Sequence, residues 1–314
     1  MQDRDVREAL DKKAEHGKDI DIDAYESGTR TPGKLGSVSE SGELKDTMAH
    51  VGVTDDLDRS GTIIFVDNGM SHCSNRVQEG VEILTTADAL KKYDGLKDYF
   101  WKAVDPTKDK YTAKAYTEEA DGYFIRVKEG YHAKFPVQTC MLIRKNKTVQ
   151  SLHNIVIMEK DSSLEMITGC TTTHKSGDSL HVGVSEIFLG EGSKLQFSMI
   201  HNWGKETGVR PRTVIRVGKN ASYTNNYVML NPVGSMQSNP VAYLDGEGAS
   251  CYFNTICVAG EGSDVDSGGT VVLNAPNTNA QIMSRSITNG GSMVARGRLV
   301  GNCAGAKAHL ECRS

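Results

Sequence analysis

The second half of the chain, from about Val137 onwards, alternates apolar and polar residues in short strands that recur at a nearly fixed interval. Each unit reads as a short apolar strand, a corner rich in Gly, Asn and Ser, and a second alternating strand. The units close at six positions, with intervals of 30, 29, 28, 29 and 28 residues: Thr168, Ser198, Tyr227, Thr255, Ser284 and Cys312. A period in this range indicates a stacked repeat. Because the units are strands, we predict a mainly β fold, a β-solenoid in which each coil pairs with the next.

Residues 61–135 predict a small α+β region ahead of the solenoid. The run GTIIFV is typical of a strand. Thr85 followed by Asp88 is typical of a capped helix start, and LKDYFWKAV predicts a second helical piece. We interpret the aromatic triplet of that piece as core packing, since aromatic side chains dominate buried area. Residues 136–314 then form the predicted solenoid core.

Residues 1–60 predict an N-terminal extension. Val6, Leu10 and Ala14 are four residues apart, a spacing that favours one short amphipathic helix. The following run, ESGTRTPGKLGSVSESGE at 26–43, is rich in Gly, Ser and Thr and is typical of a linker. We expect the extension to be flexible except where it lies along another surface.

Composition and charge narrow the possible partners. The chain has 32 glycines and only 6% aromatic residues, which suits a fold with many tight corners. Its net charge of −4 gives no electrostatic footprint for nucleic acid. No apolar run reaches the roughly 20 residues of a membrane span. The charged start MQDRDVREAL does not resemble a signal peptide, so we predict a cytoplasmic protein.

The sequence contains an odd number of cysteines at scattered spacings, which argues against a disulfide framework. In a cytoplasmic protein, thiol chemistry or metal binding is then the better interpretation. No CxxC pair, P-loop, GxSxG or HExxH motif is present, so zinc-ribbon, P-loop ATPase, serine-hydrolase and zincin functions have no signature here. The seven cysteines are Cys73, Cys140, Cys170, Cys251, Cys257, Cys303 and Cys312.

Cys312 stands out among these cysteines, although inert packing is the default for any one of them. Cys170 follows a strand that ends in Gly169, and Cys257 falls at the equivalent place in its own coil. Cys312 lies at a strand end, close to His309 and Glu311. Thiolates with a neighbouring imidazole or carboxylate suit iron, zinc or copper, and spacing alone does not choose among them.

Longer phrases carry a resemblance to a known family. SLHNIVIMEKDSSLEMITGCT, EIFLGEGSKLQFSMIHNW, SRSI, ARGRLV and AHLECRS, in this order, resemble the core of the SufB/SufD family, the scaffold subunits of SUF iron–sulfur cluster assembly. DGYFIRVKEGYHAKFPVQ resembles the entry into that core. The match runs from about residue 120 to the end. It implies a right-handed parallel β-helix, in agreement with the repeat.

The resemblance also implies roles for individual residues. Cys170, in ITGC, matches a SufB cysteine implicated in receiving sulfur, and Cys312, in HLECRS, matches the cysteine proposed as a ligand of the nascent cluster. His201 and Trp203 match the family's QNW phrase, with His in place of Gln. Arg216 stands where a basic residue occurs on the following strand. These residues are expected to line a path inside the helix between the two cysteines.

Cargo and partners follow from the same resemblance. The cofactor expected is a transient iron–sulfur cluster, with none necessarily bound in the isolated protein. The partners expected are a SufC-type ABC ATPase, a sulfur-donor protein, and a second subunit that forms either a homodimer or a SufB/SufD-type heterodimer. The family continues into further coils and a C-terminal helical domain that these 314 residues lack, so we expect a truncated chain. SufB, SufD and a combined SufBD role remain open.

Three functions are therefore compared. The first is a scaffold for iron–sulfur cluster assembly that is not itself an enzyme. The second is a β-helix enzyme acting on polysaccharide, which requires clustered carboxylates or Arg on one outer face. The third is an interaction solenoid whose cysteines are all buried and inert. Stacking of acidic residues would distinguish the second function, and thiol accessibility would distinguish the third.

Overall fold

The computed structural model describes residues 3–28, 42–54, 58–75, 79–174 and 176–314. Its α-helices are α1 (Asp3–Glu8), α2 (Gly42–Ala49), α3 (Thr86–Lys92) and α4 (Lys110–Thr117). Its strands, in chain order, are β1 (Glu26–Ser27), β2 (Gly61–Val66), β3 (Gly69–Asn75), β4 (Val81–Thr85), β5 (Tyr123–Val127), β6 (Val137–Ile143), β7 (Thr148–Met158), β8 (Ser163–Thr172), β9 (Leu180–Leu189), β10 (Lys194–Asn202), β11 (Gly208–Val209), β12 (Arg212–Val217), β13 (Ser222–Met229), β14 (Ser235–Ser238), β15 (Val241–Leu244), β16 (Ser250–Gly260), β17 (Asp264–Leu273), β18 (Asn279–Asn289), β19 (Ser292–Gly301) and β20 (Lys307–Arg313).

The strands stack into a parallel β-solenoid of about seven turns, which confirms the fold predicted from the repeat. One sheet runs in the order β11-β14-β17-β15-β12-β9-β7-β5-β4, with β1 added on β7 and β19 on β17. The other runs β20-β18-β16-β13-β10-β8-β6-β2-β3. Inward side chains of both sheets form one continuous apolar core. The helices and the N-terminal segments cover parts of the outer surface.

The register of the second sheet refines the repeat. Five of the six positions expected to be equivalent are aligned by strand pairing, but Met199, not Ser198, occupies the second place. Because successive side chains of a strand point to opposite faces, this shift of one residue puts Ser198 outside. There its hydroxyl accepts a hydrogen bond from the Asn226 amide at 3.4 Å. The aligned column is Thr168, Met199, Tyr227, Thr255, Ser284 and Cys312.

The segment 61–135 contributes strands to both sheets. β2 pairs in parallel with β6, and β5 pairs in parallel with β7, so the sheets begin before the predicted boundary at 136. The predicted helix start is confirmed, since the Asp88 N–H donates to the Thr85 hydroxyl ahead of α3.

The second helical piece predicted from LKDYFWKAV is wrong in extent. It is limited to one 3-10 helix over Asp94–Asp98. Trp101 adopts a φ of 55°, a left-handed conformation that cannot continue a helix. Its side chain is buried, as the core-packing interpretation predicts, and packs against His153 and Tyr116.

The described parts of the N-terminal extension lie along the solenoid. The predicted first helix ends at Glu8, followed by a 3-10 turn, and Val6 packs against Ala113 of α4. Residues 29–41, most of the predicted linker, lie outside the described residues. After them, α2 and the turn that follows it cover β6, where Val51 packs against Leu142.

Candidate functional site

A column of sulfur and nitrogen side chains occupies the solenoid interior. Cys170 of β8, His201 of β10, Met229 of β13 and Cys257 of β16 are aligned by strand pairing on four successive coils. All four are buried. Neighbouring strands of a sheet lie about 4.8 Å apart, so each of these side chains is flanked by the next one in the column. The equivalence of Cys170 and Cys257, predicted from the sequence, is confirmed.

Cys170 is the first thiol of this column and is 2% exposed. Its Sγ lies 3.9 Å from the Sδ of Met141 on the preceding coil. The neighbouring Gly169 points outward, where a Cβ would lie 2.5 Å from Val51 Cγ2, so this face accepts no side chain. Burial, and secondarily the Cys140 thiol, raises the pKa of Cys170 well above its ordinary value. The resting group is therefore a neutral thiol, and nucleophilic attack requires a proton acceptor.

His201 lies on the next coil and is 3% exposed. Its Nδ1 is 2.7 Å from the Tyr227 hydroxyl, which in turn lies 2.9 Å from the Met236 Sδ. Its Nε2 has no hydrogen-bond partner among the described residues. Burial, and secondarily the neighbouring His181, lowers the pKa of His201 well below its ordinary value, so the imidazole is neutral.

Trp203 joins this interior group to the surface. Its ring centroid lies 4.8 Å from that of His181 and 5.6 Å from that of His201. The same side chain lines a corner pocket of about 470 Å³, together with Thr172 and Asn202. Its buried indole N–H has no partner within the described part of the chain. Trp203 therefore stands between the two imidazoles and a surface pocket.

His181 is held by a fixed amide. Its Nδ1 lies 2.9 Å from the Gln150 Oε1. The Gln150 Nε2 donates to the backbone oxygens of Asp67 and Leu142, so Oε1 is the atom turned to the ring and His181 carries its proton on Nδ1. Burial lowers the pKa of His181 to about 3.

The sequence predicted His201 and Trp203 but missed three residues that organise them: His181, Tyr227 and Met236. In the sequence they are marked only by an inward-facing position on an alternating strand, and that position can be assigned only when the strand register is known.

The placement of Arg216 inside the helix is wrong. Its neighbours Ile215 and Val217 are the inward residues of β12, so alternation turns Arg216 outward. Its side chain is 45% exposed, pairs with Asp245 at 3.0 Å and lies over the Tyr243 ring. The fully buried arginine nearby is Arg210, whose guanidinium donates to backbone and hydroxyl oxygens.

Cys312 occupies a different environment from Cys170. It is an exposed free thiol on β20, aligned with the buried Ser284 of β18. Glu311, on the opposite face, pairs with His309 and Arg313.

The structure does not bring the two predicted cysteines together. Cys170 and Cys312 lie on the inner face of the same sheet, but five strand steps apart, or roughly 24 Å at about 4.8 Å per step. Among the described residues, no cluster of three or more His, Cys, Asp or Glu side chains could hold a metal ion. Cys312 is thus at most one ligand of a site that needs others.

Along one outer column of the second sheet, acidic residues do not stack as the carbohydrate-enzyme alternative requires. Glu165 on β8 is followed in register by Gln196, Thr224 and Tyr252 on the next three coils, so its carboxylate is not repeated. Within the described ranges, no helix combines the length and apolar character that crossing a membrane requires.

Comparison with known proteins agrees with the resemblance. Residues 141–314 match the family model described as SUF system FeS cluster assembly, SufBD core domain. The chain is 40% identical over 315 residues to an iron–sulfur cluster assembly SufBD family protein of Methanothermobacter thermautotrophicus strain Delta H, covering 98% of this chain and 77% of that protein.

Two further relatives place the chain more widely. It is 41% identical over 279 residues to an iron–sulfur cluster assembly SufBD family protein of Archaeoglobus fulgidus, covering 88% of this chain and 74% of the relative. It is 28% identical over 242 residues to the iron–sulfur cluster assembly protein SufB of Bacillus subtilis, covering 74% of this chain and 51% of the relative.

Proposed function

Since the chain belongs to the SufBD family of SUF iron–sulfur cluster assembly proteins, we propose that it is a scaffold that receives sulfur at Cys170 and supports the nascent cluster through Cys312. The observation that carries this proposal is the contrast between the two thiols. One is buried beside a neutral imidazole, and the other is exposed on the same inner sheet face. The scaffold is not an enzyme in its own right.

In this proposal, sulfur enters as a donor persulfide at the corner pocket that Trp203 lines. Cys170 lies two residues before Thr172, which lines that pocket. The Cys170 thiolate attacks the terminal sulfur of the donor persulfide and forms a new S–S bond, while the donor S–S bond breaks. The donor leaves as a thiolate and takes up the proton that Cys170 lost. Sulfur oxidation states are exchanged without net oxidation.

Iron and sulfide are cargo, and Cys312 is one iron ligand. Its thiol is accessible, and thiolates are the usual ligands of iron–sulfur clusters. Because the described residues offer no three-ligand group, we propose that a second subunit supplies the remaining ligands, in a homodimer or a SufB/SufD-type heterodimer.

A SufC-type ABC ATPase would supply the ATP-driven motion, and a sulfur-donor protein the persulfide. The cytoplasmic location stays a prediction, as does the choice between SufB, SufD and combined SufBD roles.

Anaerobic reconstitution with iron and sulfide, read by visible absorption, tests the cluster role. Cys312→Ser is compared with Cys303→Ser, a matched control because Cys303 also lies in the last coil and is partly accessible. We expect charge-transfer bands in the wild type and in Cys303→Ser, and their loss in Cys312→Ser. Equal loading of Cys312→Ser refutes the ligand assignment, and a colourless wild type favours the interaction solenoid.

Cys170→Ser separates sulfur delivery from cluster binding. Free sulfide bypasses Cys170, so this variant should reconstitute like the wild type but accept no sulfur from a persulfide donor. Loss of both properties would instead indicate a damaged fold, which the unfolding transition detects.

A further inference from the structure

Tyr227 and Met236 form a hydrogen-bonded relay behind His201. We propose that this relay holds His201 in the tautomer protonated at Nδ1, so that its bare Nε2 is the proton acceptor for the Cys170 thiol during sulfur transfer. The proposal rests on the sulfur-receiving role of Cys170 proposed above. It assigns Tyr227 and Met236 as positioning residues and gives a reason for an imidazole at position 201.

The first step is a count of protons. The Tyr227 hydroxyl has one proton and two close neighbours, the His201 Nδ1 at 2.7 Å and the Met236 Sδ at 2.9 Å. A thioether sulfur can only accept. Both contacts are hydrogen bonds only if Nδ1–H donates to the tyrosine oxygen and the hydroxyl donates to the sulfur. A neutral imidazole with its proton on Nδ1 has none on Nε2.

The opposite tautomer is less favourable in this environment. If the hydroxyl donated to Nδ1, Nε2 would carry a proton with no acceptor among the described residues, and the contact with Met236 would contain no proton. Buried N–H groups without an acceptor are rarer in proteins than under-used acceptors. Burial also raises the pKa of Tyr227 well above its ordinary value, so the hydroxyl keeps its proton.

The second step is the position of the imidazole. His201 and Cys170 are directly paired in the register of β10 and β8, and both side chains are buried on the inner face. On the preceding coil, the residue paired with Cys170 is Met141, whose thioether does not serve as a base. His201 is thus the base adjacent to Cys170 along this column.

The third step is the proton balance. The Cys170 thiol gives its proton to Nε2, and the resulting thiolate attacks the terminal sulfur of the incoming persulfide. The donor S–S bond breaks, and the departing donor thiolate takes the proton back from Nε2. His201 returns to its starting tautomer, so the relay is ready for another sulfur.

The test reads the tautomer directly. In protein labelled with ¹⁵N-histidine, the chemical shifts of the two ring nitrogens distinguish a protonated from a bare nitrogen, and His201→Gln identifies the signals. We expect bare Nε2 in the wild type. Met236→Leu removes the sulfur acceptor but keeps the hydroxyl, so Tyr227 should now donate to Nδ1 and move the proton to Nε2. A wild type with protonated Nε2, or a Met236→Leu variant with no change, overturns the proposal.

A second measurement links the tautomer to chemistry. Persulfidation of Cys170 by a low-molecular-weight persulfide is followed by mass spectrometry in Tyr227→Phe, in Met236→Leu and in the control Tyr223→Phe. Tyr223 lies on the same strand and is also buried, and its ring packs against Phe253. We expect loading to slow by about tenfold or more in the first two variants, within the range of general-base effects, and to stay unchanged in the control.

The outcomes separate the two proposals. A wild type that loads Cys170, with all variants loading at the same rate, overturns the relay and leaves the sulfur-receiving role standing. A wild type that does not load Cys170 overturns the sulfur-receiving role and, with it, the function of the relay, whatever the tautomer.

Discussion

Glu186 holds the loop that covers the first sheet, and its removal should be costly. The carboxylate is fully buried and accepts backbone N–H bonds from Trp101 at 2.7 Å, Ala103 at 2.6 Å and Val104 at 2.9 Å. The His153 Nε2 lies 2.8 Å away. Glu186→Ala would leave three backbone donors without this acceptor, and the two buried ones, at Trp101 and Val104, would cost about 1–3 kcal/mol each.

The loop can escape part of this cost by opening to water. Opening exposes the buried Trp101 ring, and exposing a large apolar side chain costs about 1.5–3 kcal/mol. The lost contact with His153 adds to this. We therefore expect Glu186→Ala to lower the free energy of unfolding by about 3–5 kcal/mol, the range for breaking a buried charged interaction.

Urea unfolding measures the total, and amide hydrogen exchange at residues 101, 103 and 104 shows whether the loop has opened. Glu191→Ala is the control, because the Glu191 side chain is 47% exposed and forms a long ion pair with Lys219, at 3.8 Å. It should change stability by less than about 1 kcal/mol. If Glu186→Ala were as mild as the control and the three amides stayed protected, the Glu186 carboxylate would not hold the loop as described.

Three further predictions concern the interior and its cover. Folded His181 has a pKa lowered to about 3, whereas the unfolded residue protonates below its ordinary 6.5. The free energy of unfolding should therefore fall as the pH drops from 6.5 towards 3, by up to about 1.4 kcal/mol per pH unit from this group. His181→Gln should flatten that slope by about one proton in urea titrations across pH, and an unchanged slope would contradict the buried neutral state. Gly169→Ala should lower the free energy of unfolding by about 1–3 kcal/mol, because the added Cβ would clash with the side chain and the carbonyl oxygen of Val51. It should also speed amide exchange around Val51, and an unchanged melting temperature would contradict this contact. Iodoacetamide should label Cys312 in the native protein and Cys170 only after unfolding, by peptide mass spectrometry; labelling of both at equal rates would contradict their burial.

The fold could be predicted from the sequence because a solenoid repeats the same local pattern. The near-constant interval between units predicted stacked coils, and the equal offset of Cys170 and Cys257 within their units predicted their alignment. Thr85 could be identified as a helix cap because capping depends on residues three apart. Each of these signals is local or strictly periodic.

The rest depended on register and on contacts across coils. Ser198 was chosen one position from the aligned Met199, and a shift of one residue exchanges the inner and outer faces. Arg216 lies in a run where apolar residues precede and follow it, so the inward phase is not evident from the letters. The Tyr227–Met236 contact joins strands of different sheets, and no spacing rule encodes it.

The interior column also places side chains at regular intervals along the solenoid axis. Met229 and Ser286 extend the column of Cys170, His201 and Cys257 on their own coils. Each rung is one strand spacing, about 4.8 Å, from the next. A single substitution can therefore move a thiol, an imidazole or a hydroxyl by a whole rung while the backbone stays in place. Evolution or design can in this way set the gap between two reacting groups in fixed increments.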